Sequence, residues 1–121
     1  MPRFSLRARW QSVGYALAGA RWFLRTQHNA RLHLLATLAV VALGLGLGVG
    51  REDWRWLVLA IGLVWAAELM NTALEQLADA LAPDPHPLVG RAKDLAAAAV
   101  AVTALVALLI GLLVFVPYVA G

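Results

Sequence analysis

The chain has 121 residues, 62% apolar and 14% charged, with a formal net charge of +3 and no cysteine. An ordinary soluble domain is about 45–50% apolar and about 25% charged, and ten Lys/Arg with seven Asp/Glu are too few to cover the surface of a domain this small. Composition points to a bilayer as solvent; length argues against a second domain, and the missing cysteines exclude a disulfide framework, a zinc–thiolate site and a cysteine nucleophile.

The first 33 residues lack the continuous apolar run and small-residue cleavage site of a secretory signal. At about 100° per residue, Leu6, Trp10, Val13, Leu17 and Leu24 fall in one stripe, with Arg3, Arg7, Arg21 and Arg25 in a stripe beside it. The pattern predicts an amphipathic surface helix over about 4–26, its apolar face in the headgroup boundary and its arginines on anionic lipid phosphates. Docking of the same face on protein is the alternative.

A membrane helix needs about 20 residues. Leu34 to Gly50 gives 17 without a charge, and a first span is predicted at about 31–50. The second, at about 54–82, is uncharged from Trp56 to Ala67 and then amphipathic, interrupted by Glu68, Glu75 and Asp79. The third, at about 87–116, is uncharged from Leu95 to Ala120, with Pro117 as its stop. Trp54 and Trp56 beside Arg51 and Arg55 read as an interfacial belt that Tyr118 joins. Gly44, Gly46, Gly48 and Gly50 read as a loosely packed end of the first span. Ala96 to Ala99, with Ala101 and Ala104, read as the small surface on which the third span approaches the acidic face of the second and shelters Glu68. The expected fold class is an all-α membrane protein with three transmembrane helices and one surface helix.

Six of the ten Lys/Arg precede the first span, two lie in the first loop and two in the second connection, so eight share one side. That side is expected to be cytoplasmic, which places the amino terminus there and runs the second span inward.

Glu68, Asn71, Thr72, Glu75 and Asp79 share one face of the second span. An ionised carboxylate at bilayer depth costs on the order of a few kcal/mol, so such acids usually face a protein interior and mark a functional path. Glu75, nearer water, suits Mg²⁺, which takes carboxylate and phosphate oxygens. Glu68, deeper and desolvated, suits a general base. Asn71 lies one turn from each and is placed to orient a phosphate. Beside this stands a structural reading, in which Asn71 and Thr72 glue helices together and Asp79 is a solvated helix end.

The second connection runs from Pro83 to Asp94 and holds three prolines that break the second helix, with Pro87 suited to the first position of the third. Gly90, Arg91 and Lys93 then lie in the opening turns of a helix, where free N–H groups and the dipole favour anions. This reads as a phosphate cradle, with Asp94 pairing with Lys93 or orienting a bound metal. A Lys/Arg pair that merely anchors topology is the alternative.

Taken together, these segments resemble the prokaryotic diacylglycerol kinase and undecaprenol kinase family of small membrane lipid kinases. The resemblance rests on Ala67-Glu68-Leu69-Met70-Asn71-Thr72-Ala73-Leu74-Glu75, followed by His86 and Gly90-Arg91-Ala92-Lys93-Asp94. Ser12-Val13-Gly14-Tyr15-Ala16, Gly19 and Asn29-Ala30-Arg31-Leu32-His33 extend it across nearly the whole chain. It implies ATP- and Mg²⁺-dependent transfer of the γ-phosphoryl group to a lipid hydroxyl, by a homotrimer in the bacterial cytoplasmic (inner) membrane; nucleic acid is not an expected partner. By the same resemblance Glu68 is the general base and, with Asn71, forms the catalytic pair. ATP contacts fall to Tyr15, Gln27, Asn71, Glu75, Asp84, His86, Gly90, Lys93 and Asp94, and lipid contacts to Ser12, Ala16, Arg21, Glu68 and Ala97. Metal ligation falls to Glu75 and to Gln27, which stands where family members commonly carry a Glu. That departure removes one negative charge from the metal site, and Ala18 departs from a Lys of some diacylglycerol-preferring members. Diacylglycerol and undecaprenol stay open as substrates. A noncatalytic helix-bundle protein or a proton-conducting assembly is the alternative function; a proton path accounts for Glu68 but not for Gly90, Lys93 and Asp94 at their spacing.

Overall fold

A computed structural model describes residues 3–121 as four successive helices: α1 (Leu6–Thr26), α2 (His28–Leu47), α3 (Arg51–Leu81) and α4 (Pro87–Ala120). At about 1.5 Å per residue, the 20, 31 and 34 residues of α2, α3 and α4 measure about 30, 46 and 51 Å. All three are long and apolar enough to cross a membrane, whose hydrocarbon core is about 30 Å thick. The charges of α4, Arg91, Lys93 and Asp94, lie in its first turns, so its excess length falls at the α3–α4 connection.

Ser5 starts α1, its Oγ accepting from the Ala8 N–H at 3.4 Å. A single extended residue, Gln27, separates α1 from α2. Its N–H donates to the Phe23 carbonyl at 3.0 Å, and Arg31 donates from Nη2 to the Arg25 carbonyl at 2.8 Å. A cation on the last carbonyls of α1 complements the dipole there and sets the elbow between the two helices.

α3 and α4 form the main packed pair, with α2 laid more lightly on α3 and α1 on α2. Along α4, Val89, Lys93, Ala96, Val100, Thr103, Ala107, Ile110 and Val114 are half-buried or buried at a three-and-four spacing that marks one seam, with Gly111 and Phe115 beside it. The small surface expected from Ala96 to Ala99, Ala101 and Ala104 is therefore corrected: of these only Ala96 lies in the seam, and the others are exposed. Their spacing winds around the helix, so they cannot all face one neighbour.

The α2–α3 turn changes the reading of the glycines. Gly48 adopts the left-handed conformation, φ 65° and ψ 41°, and Val49 N–H reaches back to the Gly44 carbonyl at 3.1 Å. That closure ends α2 at Leu47, short of the expected residue 50. Gly44 is buried, and a Cβ there would lie 2.7 Å from Trp54 Cη2. Trp54 thus packs on α2, while Trp56 is exposed. Val49, Leu57 and Val114 form the core at this end, with Leu47, Trp54 and Phe115 against it.

α3 begins at Arg51, three residues before the expected start, because Glu52 and Asp53 fall in its first turn and favour the dipole. Tyr118 is also tied into this end: its hydroxyl donates to Asp53 Oδ2 at 2.6 Å and accepts from the Gly50 N–H at 3.0 Å. Pro117 does not stop α4, which continues to Ala120. One turn from the end, a proline removes only the bond to the Leu113 carbonyl, and the remaining turn closes without it.

Candidate functional site

α3 carries its polar face into the protein. Glu68 is 5% exposed and Thr72 7%, with Asn71 and Glu75 half-buried. Burial of a carboxylate in a membrane helix requires a partner, and Glu68 has one on α2: His33 Nε2 lies 2.7 Å from its Oε1. His33 is in turn part of a bonded group. Trp65 Nε1 donates to Thr37 Oγ1 at 2.8 Å, and the Thr37 hydroxyl donates to the His33 carbonyl at 2.7 Å. The Trp65 ring meets Phe23 of α1 in an edge-on contact with centroids 6.2 Å apart, so three helices converge on the Glu68 region.

One turn beyond Glu68, Asn71 Oδ1 is buried without a hydrogen-bond partner among the described residues. A buried amide oxygen without a donor is costly, which suits a position completed by a bound ion, water or nucleotide. Asp79, in the last turn of α3, accepts from Lys93 Nζ at 2.8 Å. Glu75 lies close enough to Lys93 to contribute to the field there. The expected Lys93–Asp94 pair is corrected: adjacent residues on a helix point apart, and Lys93 reaches across the turn to Asp79 instead.

Around that pair opens a cavity of about 540 Å³, lined by Asp79, Asp84, His86, Gly90 and Lys93 among others. The sequence folds this way because Pro83 and Pro85 cannot continue α3, while Pro87 opens α4. His86 caps α4, its Nδ1 accepting from the Leu88 N–H at 3.2 Å. Four expected nucleotide contacts, Asp84, His86, Gly90 and Lys93, thus share one cavity with the N-terminus of α4. Asp94 and Ala97 are exposed on α4 and do not line it.

The candidates on α1 do not join this cavity within one chain. Ser12, Tyr15, Ala16 and Arg21 are exposed, and Ser12 Oγ donates to the Ala8 carbonyl of its own helix at 3.0 Å. Gln27 donates from Nε2 to Thr26 Oγ1 at 3.1 Å, which leaves its carbonyl oxygen for another donor or an ion.

Among the described residues no three His, Cys, Asp or Glu side chains converge as a metal cage. Mg²⁺ rarely uses one, keeping waters and binding through one or two carboxylates plus substrate phosphates. Glu75, with the buried Asn71 Oδ1 one turn before it, fits that mode on the same helix face as Asp79.

His33, Thr37 and Trp65 are the contributors that sequence reasoning missed. The signal for His33 was its type and place: an imidazole just inside an apolar helix needs a polar partner, and Glu68 was the deepest acid available.

Residues 14–115 match the family described as prokaryotic diacylglycerol kinase. The chain is 36% identical over 115 residues to an undecaprenol kinase of Bacillus subtilis, covering 95% of this chain and 94% of that protein. It is 36% identical over 101 residues to a diacylglycerol kinase of Synechocystis, covering 83% and 58% of the two chains. Over 99 residues it is 30% identical to the diacylglycerol kinase of Escherichia coli K12, covering 82% and 81%. With a polar helix face bonded from α2, a charged cavity at the α3–α4 turn and a family match over most of its length, the chain belongs to the prokaryotic diacylglycerol kinase family.

Proposed function

We propose that this chain is an ATP- and Mg²⁺-dependent lipid kinase that phosphorylates the hydroxyl of a membrane lipid, diacylglycerol or undecaprenol, at the cytoplasmic interface. In this reading it works as a homotrimer in the bacterial inner membrane, with a cytoplasmic amino terminus and α1 lying amphipathically on the surface. The observation that carries the reading is one helix face: α3 holds a buried carboxylate at Glu68 and, three turns on, the Asp79–Lys93 pair that edges the cavity. A lipid-soluble acceptor and a water-soluble phosphate donor can meet along that face.

Phosphoryl transfer needs positioning and charge neutralisation more than covalent chemistry. Glu68 takes the proton of the lipid hydroxyl while the oxygen bonds to the γ-phosphorus and the bond to the β-phosphate oxygen breaks, releasing ADP. Lys93 and the free N–H groups opening α4 hold phosphate charge, and Asn71 orients the transferring group. Tyr15, Asp84, His86, Gly90 and Asp94 complete the nucleotide contacts, and Ser12, Ala16, Arg21 and Ala97 the lipid contacts. Glu75, with the amide oxygen of Gln27, would hold Mg²⁺, which neutralises phosphate charge when bound.

The test is transfer of label from γ-³²P ATP to each lipid by purified protein in mixed micelles. Wild type is expected to label one of the two lipids, and Glu68→Gln to lose about 10²-fold or more of the rate. Gln27→Glu, by restoring a negative charge, is expected to lower the Mg²⁺ concentration giving half-maximal rate. No labelled lipid from wild type or Gln27→Glu, with either substrate, overturns the reading.

A further inference from the structure

A groove of about 500 Å³ runs between α2, α3 and α4, walled by side chains such as Val40, Leu43, Leu57, Leu108 and Phe115. Its lining is apolar except where His33, Thr37 and Trp65 meet. Glu68 does not line it. His33 does, and the same ring bonds Glu68 through Nε2. His33 is therefore the one ionisable side chain among the described residues that touches both the apolar groove and the buried carboxylate.

The ring is also held in place. Its side chain is 23% exposed against 6% for Glu68, it lies against Trp65 with centroids 6.3 Å apart and a 58° tilt, and its carbonyl is fixed by Thr37. With Glu68 ionised, Nε2 carries the proton and donates, because a carboxylate can only accept. The bond engages Oε1; Oε2 makes no hydrogen bond among the described residues. A carboxylate with one oxygen clamped and the other open has a single oxygen to offer to a hydroxyl.

We propose that His33 is a positioning residue for Glu68: its Nε2–H clamps Oε1 and so presents Oε2 as the oxygen that accepts the proton of a long-chain alcohol whose chain lies in the groove and whose hydroxyl reaches past the His33 edge to Glu68. The proposal rests on Glu68 being the base of a lipid kinase. His33 gains and loses no proton in the step; the hydroxyl proton ends on Oε2 as the new O–P bond forms and ADP departs. A buried carboxylate freed of its clamp would rotate or recruit water, and a misplaced base loses rate without weakening nucleotide binding.

The test compares His33→Phe, which keeps an aromatic ring against Trp65 but no donor, with His33→Gln, which keeps an N–H donor without the ring. Steady-state kinetics are measured for ATP and for each lipid, with thermal unfolding in the same detergent. His33→Phe is expected to lower kcat about 10- to 100-fold, the equivalent of one hydrogen bond to a charged group, with KM for ATP unchanged. His33→Gln is expected to recover most of that kcat although it packs less well. An active wild type matched by His33→Phe overturns the role of His33, as does an equal loss in both variants. A wild type without turnover on either lipid instead overturns the kinase reading itself.

Discussion

Lys93, in the second turn of α4, donates to Asp79, in the last turn of α3, at 2.8 Å, and so bridges the proline-broken connection between the two longest helices. Both side chains are solvent-exposed, and an exposed, screened pair contributes little to stability. Its placement on the cavity edge gives it a different use in the proposed kinase: Asp79 would hold the ammonium where an incoming phosphate can take it over. Asp79→Asn is therefore expected to move the thermal midpoint by no more than about 2 °C. Lys93→Ala is expected to raise KM for ATP on the order of tenfold, the loss of a charge-assisted contact. Unfolding curves and ATP titrations of the two variants check this; a large loss of stability with an unchanged KM would mark the pair as purely structural.

Gly44 and Gly46 make a matched pair of tests two residues apart on α2. A Cβ on Gly44 would sit 2.7 and 2.8 Å from two atoms of the Trp54 ring, whereas a Cβ on Gly46 meets nothing within 4 Å. Gly44→Ala should cost about 1–3 kcal/mol through overpacking, and Gly46→Ala should be neutral or slightly stabilising because alanine is the better helix former. Thermal unfolding in a single detergent distinguishes them, and equal effects would contradict the close approach of α2 to Trp54.

Tyr118→Phe removes the donor to Asp53 and the acceptor for the Gly50 N–H together. The expected loss is about 1–3 kcal/mol of stability, as for a hydrogen bond to a charged group. Lys93 lies 25 residues away along the same helix, about 38 Å at the rise of an α-helix, so turnover per folded molecule should not change. A parallel measurement of unfolding and specific activity decides the point; lost activity at unchanged stability would count against the assignment.

Much of this arrangement is legible in the sequence alone. The apolar runs of α2, α3 and α4, the break at Pro83 to Pro87, and the polar stripe from Glu68 to Asp79 are each properties of one segment, read from hydropathy, proline chemistry and a period of about 3.6 residues. The helix ends were less legible. Gly48 ends α2 through a left-handed closure, and Glu52 and Asp53 draw Arg51 into α3, two effects that hydropathy does not weigh. Pro117 looked like a stop, yet so near a terminus it costs only one bond.

The sequence by itself determined that this is an all-helical chain with three helices able to cross a membrane and an acidic face on one of them. Only the tertiary structure decided the partners: His33 for Glu68, Asp79 for Lys93, Trp54 for Gly44, and Tyr118 for Asp53. It also separated the α1 candidates from the cavity at the α3–α4 turn. The reason is physical. In lipid, apolar faces gain little by burying one another, so which helices meet is settled by close approach at small residues and by hydrogen bonds across spans. Those depend on the packing of distant segments, which no local period records.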